Sequence, residues 1–462
     1  MRKPQTLITT HSSSDGSSPP PIDGMEVHSS AAFDLPPRQR LSLLQSLIFL
    51  TYTLTIFLTF LFPTLRIGPL PMRSFLVVGL LMLLSLSRIS TLQKALTVHR
   101  TLISLIFGFG ILGIIVSAVN GTDPATITQA FLEIHVQSFI VLILASVVCE
   151  YCGSGPTGRA LIIAVGGTLI VAIFQYLDIG WSWDIRKAIG DFQGEVFEQY
   201  GYFNSKRPMG LSFTPVTLAT QLCLAFAAYT ISRQRFLSSL GSERRVDTRT
   251  VIAAILFIVA CFASGNRSPI LGGLLFLLIY MATRRPGLFL LVAPFAVTIG
   301  ILVLPDLLQM LSDTGSRVTS VDDKSATGRI TLYYYGWRLF QDWPIGYGLA
   351  FNPVDHWSQY WNELRSMPNA QDVQSFPLHN YILNMLNFYG VGMMFLIPLM
   401  RRAFSIHAWT ILFFTPYIVH ILFHNAGPFR DDSLVWIVVA VARGPRNPAI
   451  IRTRWPKTKI VM

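Results

Sequence analysis

The stretch that decides the fold is TLISLIFGFGILGIIVSAV at residues 101–119, which carries no charged side chain. An apolar run of about 20 residues has the length that an α-helix needs to cross a bilayer. Similar runs follow at 130–149 and 159–178, with short polar breaks between them. The pattern therefore predicts an all-α polytopic membrane protein.

The composition agrees with a membrane environment. Of the 462 residues, 52% are hydrophobic and only 13% are charged, whereas soluble domains carry about 25% charged residues. The net charge of +12 is typical of a membrane protein with Lys and Arg on its cytoplasmic loops. We therefore expect a lipid bilayer around the chain and no nucleic-acid partner.

The apolar periodicity predicts about twelve spans between residues 42 and 442. They are 42–62, 73–87, 101–119, 130–149, 159–178, 210–231, 250–264, 268–283, 287–304, 380–400, 407–423 and 433–442. The Ser- and Pro-rich segment 1–41 has too little apolar content to fold, so it is predicted to be a disordered tail. The basic segment 443–462 is predicted to be a second tail.

The distribution of basic residues predicts the orientation. If the N-terminus is cytoplasmic, most of the 36 Lys and Arg residues fall in inner segments, as the positive-inside rule requires. Both termini are then cytoplasmic, and a large outer loop covers 305–379. A loop of this length is usually functional. Within it we expect a helix over 328–341, with Thr327 as N-cap and a stop at Pro344.

Among the arginines on the outer side, which run against the charge rule, three stand out: Arg207, Arg267 and Arg329. A charge at the membrane boundary is costly and often marks a substrate site, although a snorkelling arginine at a helix end has the same signature. Guanidinium groups suit phosphate or diphosphate, and Arg329 is expected beside a helix N-terminus. The three together predict a site for an anionic, phosphate-containing substrate.

His379 lies where the large outer loop re-enters the membrane. An imidazole there can accept a proton from a hydroxyl near neutral pH, although a boundary histidine can also be purely structural. The outer acidic pairs Asp322/Asp323 and Asp431/Asp432 are interpreted as solvated charges, and no phosphate-binding GxxxxGK[ST] loop is present. We therefore expect no metal and no cofactor.

Six short motifs occur in a recognisable order. They are RPMGLSFTP (207–215), SGNRSP (264–269), TGR (327–329), WPIGYG (343–348), HN (379–380) and YGVGMMF (389–395). In order and spacing the region from about 200 to 400 resembles the bacterial O-antigen ligase and O-antigen polymerase superfamily.

The resemblance implies a GT-C-like transmembrane domain over 42–442 and an inverting, metal-independent glycosyltransferase of the bacterial inner membrane. The donor would be an undecaprenyl-diphosphate-linked glycan, and the acceptor a glycolipid or glycan hydroxyl at the periplasmic face. By position, Arg207, Arg267 and Arg329 would bind the diphosphate, and His379 would be the general base.

Three alternatives remain open at the level of sequence. A ligase, a polymerase and an O-linked protein glycosyltransferase would use the same residues on different acceptors. A flippase for the same lipid would need polar groups along the path through the membrane. Ionisable residues within the predicted spans are few, chiefly Glu133 and His135, so the sequence favours transfer over transport.

Overall fold

The computed structural model describes residues 42–62, 66–67, 70–71, 89–194, 206–239, 246–287, 289–290, 294, 324–404, 408–430 and 432–444. Over these residues the chain is helical apart from one short antiparallel strand pair. The elements are α1 (Leu43–Leu61), β1 (Arg66–Ile67), β2 (Leu70–Pro71), α2 (Ile89–Val119), α3 (Pro124–Phe131), a π-helical turn (Leu132–Val136), α4 (Gln137–Cys152), α5 (Ser154–Tyr176), α6 (Gly180–Gln193), α7 (Pro215–Ser239), α8 (Thr248–Ala263), α9 (Arg267–Arg284), α10 (Lys324–Asp342), α11 (Trp357–Leu364), α12 (Tyr381–Tyr389), α13 (Ile397–Ala403), α14 (Ala408–Phe413), α15 (Thr415–Ile421) and α16 (Val435–Arg443), with 3₁₀ turns at Pro353–Asp355, Ala370–Gln374 and Gly390–Leu396.

The prediction of an all-α polytopic membrane protein is confirmed by the helical segments. In the described part of the chain, six segments are long and apolar enough to cross a membrane. They are Leu43–Leu61, Ile89–Val119, Pro124–Cys152, Ser154–Tyr176, Pro215–Ser238 and Tyr381–Ala403. The count of twelve spans stays a prediction.

Several predicted segments fall outside the described residues. These are the tail 1–41, the second span 73–87, nearly all of the span 287–304, the start of the large outer loop at 305–323, and the C-terminal tail beyond residue 444.

Helix α1 shows how the chain meets lipid. It starts with a capping box, in which the Ser42 side chain accepts from the backbone N–H of Gln45. One face carries the buried side chains Tyr52, Ile56 and Phe60, while Leu43 is 89% exposed on the opposite face. An exposed apolar stripe of this kind is costly in water and suits the acyl chains of a bilayer. The core is instead formed by helices such as α4, where most side chains are buried.

Helices α9 and α15 lie against each other at very close range. A Cβ placed on Gly272 would meet the Cα of Pro416 at 2.6 Å, so only glycine allows this approach of the two backbones. Small residues at such crossings are typical of membrane helices. One helical turn away from this contact, Ser268 meets His420, which shows that the two helices run antiparallel. The crossing at Gly272 therefore determines which side chains meet where α9 begins and α15 ends.

The glycines of the WPIGYG motif form a packing junction between the outer loop and α12. The backbone N–H of Tyr347 donates to the carbonyl of Asn387 (2.6 Å), and Val391 donates to the carbonyl of Pro344 (2.8 Å). Gly346 has φ +89°, and a Cβ there would lie 2.5 Å from the backbone nitrogen of Gly390. The motif therefore ties the loop to the membrane helix.

The loop helix α10 begins earlier than the sequence predicts. It runs from Lys324 to Asp342, so Thr327 lies inside the first turn and is not the N-cap. The correction also moves Arg329 into the second turn, away from the unpaired N–H groups of the helix start. The Thr327 prediction was wrong because Lys324 to Ala326 are compatible with helix, and a Ser/Thr position alone does not locate a cap.

Candidate functional site

The segment that carries Arg207 is held by a buried glutamine. Gln175, near the C-terminal end of α5, accepts with its Oε1 from the backbone N–H groups of Met209 (2.9 Å) and Gly210 (2.7 Å). Its Nε2 donates to the carbonyls of Gly210 and Ser182, each at 3.1 Å. Gly210 has φ +61°, and a Cβ there would lie 2.2 Å from the Thr168 carbonyl oxygen. The backbone after Arg207 is therefore fixed at one depth and in one direction.

Arg186 supports the same segment from α6. Its side chain is fully buried, and its guanidinium donates to the carbonyls of Ser212 (2.8 Å) and Phe213 (3.5 Å). The sequence analysis assigned this arginine no role. Its contacts are with backbone carbonyls, so it acts as a structural support for the site.

Arg267 opens helix α9 at the tight turn of the SGNRSP motif. The N-cap Asn266 is buried, and its Nδ2 donates to the carbonyls of Pro215 and Ser264, each at 3.0 Å. These bonds join the start of α9 to the start of α7, the helix that follows the Arg207 segment. The segments that carry Arg207 and Arg267 are thereby joined by hydrogen bonds, although these residues are 60 positions apart in the chain.

Ser268, the neighbour of Arg267, bridges two histidines. Its Oγ lies 3.0 Å from Nδ1 of His420 and 3.3 Å from Nε2 of His424. The two imidazole rings have centroids 4.3 Å apart. On the other side of His420, Nε2 lies 3.0 Å from Oγ1 of Thr220.

The hydrogen bonds of this network assign the tautomers of both rings. The Thr220 hydroxyl donates to the Val216 carbonyl (3.1 Å), so it accepts from the Nε2–H of His420. Nδ1 of His420 then accepts the Ser268 proton, and Ser268 in turn accepts from the Nε2–H of His424. The basic nitrogen of His424 is therefore Nδ1.

His379 lies near this pair, just before helix α12. The centroids of the His379 and His424 rings are 6.4 Å apart. Asn380 caps α12 by accepting from the Leu383 N–H, and its Nδ2 donates to the Leu422 carbonyl (3.0 Å), which fixes the HN motif beside the chain leading to His424. Nδ1 of His379 lies 2.7 Å from the Pro377 carbonyl, which can only accept. Nδ1 therefore carries the proton, and Nε2 is the basic nitrogen.

The arginine charges act on these histidines. Burial lowers the pKa of His379, the bond to the Pro377 carbonyl opposes that shift, and the charge of Arg329 lowers the pKa further. Burial also lowers the pKa of His424 well below its usual range, helped by His420, Arg329, His379 and Arg207 in that order. Both imidazoles are therefore neutral at pH 7, which is the state of a proton acceptor.

The structure thus brings together most of the residues that the sequence singled out. His379, Arg329 and Arg207 share one electrostatic neighbourhood, and Arg267 adjoins it through Ser268. Their roles as base and diphosphate ligands stay predictions.

Two members of the cluster were missed by the sequence analysis, namely Ser268 and His420. His424 also received no role there. The available signal was the spacing of four between His420 and His424 at the end of an apolar run, which predicts two rings on one face of a helix. In the structure α15 ends at Ile421, and the two rings meet just beyond its end.

The aromatic residues of the outer loop mostly pack on one another. The Tyr347 and Phe351 rings stack with centroids 4.8 Å apart, and Tyr335 meets Tyr360 edge to face at 5.6 Å. Over the described residues no three His, Cys, Asp or Glu side chains converge as a metal-binding group. The chemistry of the cluster is that of imidazole, hydroxyl and guanidinium.

Comparison with known proteins agrees with the motif order. Residues 252–397 match the family described as O-antigen ligase, and this region contains Arg267, Arg329 and His379. The matched region ends before His420 and His424 and begins after Arg207. No curated protein matches the chain. The match over 252–397 supports the resemblance of the chain to the O-antigen ligase and polymerase superfamily.

Proposed function

We propose that this protein transfers a glycan from an undecaprenyl-diphosphate carrier to an acceptor hydroxyl at the periplasmic face of the bacterial inner membrane. The observation that carries the proposal is the cluster where α9 begins and α15 ends. There the His424 ring lies 4.3 Å from the ring of His420 and 6.4 Å from the ring of His379, and the charges of Arg329 and Arg207 act on His424. A neutral base beside fixed cations fits a reaction in which a hydroxyl is deprotonated and an anion departs.

His379 acts as the general base in this proposal. Its Nε2 accepts the proton of the acceptor hydroxyl while the hydroxyl oxygen bonds to the anomeric carbon of the donor sugar. The bond from that carbon to the diphosphate oxygen breaks, and the diphosphate leaves with the electron pair. Attack from the face opposite the leaving group inverts the anomeric centre. The bond from Nδ1 to the Pro377 carbonyl keeps the ring in the required tautomer.

Arg207, Arg267 and Arg329 bind the diphosphate. Negative charge grows on the leaving oxygens during the transfer, so fixed guanidinium groups stabilise the transition state more than the bound donor. Their bidentate geometry suits phosphate oxygens. Three such groups supply the charge stabilisation that divalent cations supply in other phosphate chemistry, so the proposed reaction needs no metal and no cofactor.

His424 provides a second basic nitrogen at the same site. The Ser268 bridge occupies its Nε2, so Nδ1 is the basic nitrogen. We assign His424 the role of orienting the acceptor hydroxyl, or His379 as its proton acceptor, by hydrogen bonding. Ser268 and His420 are positioning residues that hold the His424 ring.

The test is complementation of a strain that lacks this gene. Wild type, His379→Ala and Arg329→Gln are expressed at equal membrane levels, with His356→Ala as a control histidine in the same outer loop. The proposal expects undecaprenyl-linked glycan to accumulate with the two site variants and not with the control. Full-length glycan on the carrier indicates a ligase, whereas single repeat units indicate a polymerase. Wild-type surface glycan with both site variants would refute the proposed site.

A further inference from the structure

A cavity that is separate from the histidine cluster opens between the π-helical turn, the outer loop and the segment before α16. Its volume is about 240 Å³. The residues that define its chemistry are Glu133, Ile134, Leu349, Phe351, Phe388 and Arg430. It lies beside the outer end of α2, because Leu349 donates its backbone N–H to the Ser117 hydroxyl (2.7 Å), two residues before that helix ends.

The two charged side chains of this cavity are held in place. Gln129 donates to Oε1 of Glu133 (3.0 Å), and the guanidinium of Arg430 lies 4.8 Å from the centre of the Phe388 ring. Arg430 also donates to the Asn425 carbonyl (3.2 Å). A carboxylate accepts several hydrogen bonds and a guanidinium donates up to five, so both can serve a bound ligand in addition to these contacts.

The remaining walls are apolar. Leu349, Phe351 and Phe388 are each less than 10% exposed and form a rigid surface beside the two charges. A sugar ring has hydroxyl edges and apolar C–H faces, so it matches a cavity with fixed hydrogen-bonding groups and an aromatic wall. A cavity of about 240 Å³ is smaller than the roughly 300–1,000 Å³ of pockets for drug-sized ligands, which favours one ring.

The backbone around Glu133 departs from a regular helix. Residues Leu132–Val136 form a π-helical turn, a local widening that is frequent at functional sites. Beneath it, the Tyr389 hydroxyl donates to the Phe429 carbonyl (2.9 Å) and lies 3.2 Å from Nε2 of His135. This buried link joins three of the segments that surround the cavity, so their separation is fixed.

Two continuous segments lead from the histidine cluster to the cavity. Helix α12 starts beside His379 and reaches Phe388, and a rise of 1.5 Å per residue gives about 10 Å from Tyr381 to Phe388. The loop after α15 runs from His424 to Arg430. The cavity therefore lies within reach of an oligosaccharide whose reacting end is at His379.

We propose that this cavity binds one uncharged sugar ring of the glycan substrate, next to the unit that reacts. The inference rests on the proposed function for the identity of the substrate, and on the cavity for the class of sugar. One carboxylate and one guanidinium line the cavity, so a charged sugar gains an attraction to one of them but meets repulsion from the other and also loses its hydration. A neutral hexose or an N-acetylated hexosamine meets neither penalty.

The first experiment measures binding alone. The full chain in lipid nanodiscs is titrated with methyl glycosides of a neutral hexose, an N-acetylhexosamine and a hexuronic acid, with binding followed by saturation-transfer NMR. Glu133→Gln and Arg430→Gln should each weaken the neutral probes about ten-fold, the loss expected for one hydrogen bond to a charged group. The control Glu363→Gln changes a carboxylate of the outer loop that pairs with Arg338 and should bind as wild type.

The second experiment measures transfer with the same variants. Both variants should keep kcat and raise one KM. The KM for the lipid-linked donor should rise if the bound ring belongs to the donor glycan, and the KM for the acceptor should rise if the ring belongs to the acceptor. Preference for the hexuronic acid, absence of probe binding, or unchanged binding in both variants would overturn the proposal. Probe binding without any glycan transfer by wild type would instead reject the proposed function and leave a sugar site.

Discussion

The substitution Ser268→Ala removes the hydroxyl that joins two buried histidines. Ser268 donates to Nδ1 of His420 at 3.0 Å and accepts from Nε2 of His424 at 3.3 Å. Alanine leaves a buried acceptor on one ring and a buried donor on the other. Each buried polar group without its partner costs about 1–3 kcal/mol, and the loss of the buried hydroxyl itself offsets part of this. We expect the free energy of unfolding to fall by about 2 kcal/mol.

The same change should lower activity beyond its effect on stability. Without the Ser268 bridge the His424 ring can rotate, so Nδ1 is no longer directed to one position. A loss of about 2 kcal/mol in transition-state stabilisation corresponds to roughly a thirty-fold lower rate. Ser268→Thr keeps a hydroxyl and should recover part of the rate.

The assay pairs two measurements on protein in nanodiscs: thermal unfolding, and transfer of glycan from purified lipid-linked donor. The matched control is Ser146→Ala, because Ser146 is also a buried serine of a membrane helix. Its hydroxyl donates only within its own helix, to the Leu142 carbonyl (2.6 Å), so its loss should change little. Equal effects of the two alanine variants on both measurements would refute the network.

Further outcomes follow from the same site. His379→Ala should reduce the transfer rate about 10²- to 10⁴-fold, as measured by single-turnover kinetics, with the fold retained because Asn380 provides the helix cap. Since burial and Arg329 lower the pKa of His379, the rate should persist as pH falls below the usual histidine range and drop only once pH passes the lowered pKa. Arg329→Gln should move this acidic limb of the pH–rate profile upward, and an unmoved limb would remove Arg329 from the neighbourhood of the base. Gly272→Val should separate α9 from α15, since even a Cβ would lie 2.6 Å from the Cα of Pro416, and both unfolding temperature and activity should fall together.

Some features of this protein follow from the chemistry of short segments of its sequence. The uncharged run at 101–119 predicts a spanning helix because a bilayer offers no partners for an open backbone. The arginines predicted to be outer, and His379, stand out because an ionisable side chain at the membrane boundary is costly unless neighbouring groups or a substrate stabilise it. The motif order from Arg207 to the HN pair then points to one superfamily, which the match over 252–397 confirms.

Other features depend on positions that lie far apart in the chain. Ser268 and His420 are about 150 residues apart, and their contact follows from the close crossing of α9 and α15 at Gly272. Periodicity within either helix does not show which partner it packs against. The sequence also predicted the wrong start for α10, because the residues before Thr327 are compatible with helix and nothing local marks where the helix begins.

The sequence by itself thus determined the membrane class, and it supplied the predictions that the arginines lie on the outer side and that His379 is the base, since each follows from the transfer free energy of a local segment. Only the tertiary structure decided that Ser268, His420 and His424 join that site, that the motif glycines are packing residues, and that Glu133 and Arg430 share a cavity. These depend on the three-dimensional packing of helices, where one close crossing fixes the register of two whole helices.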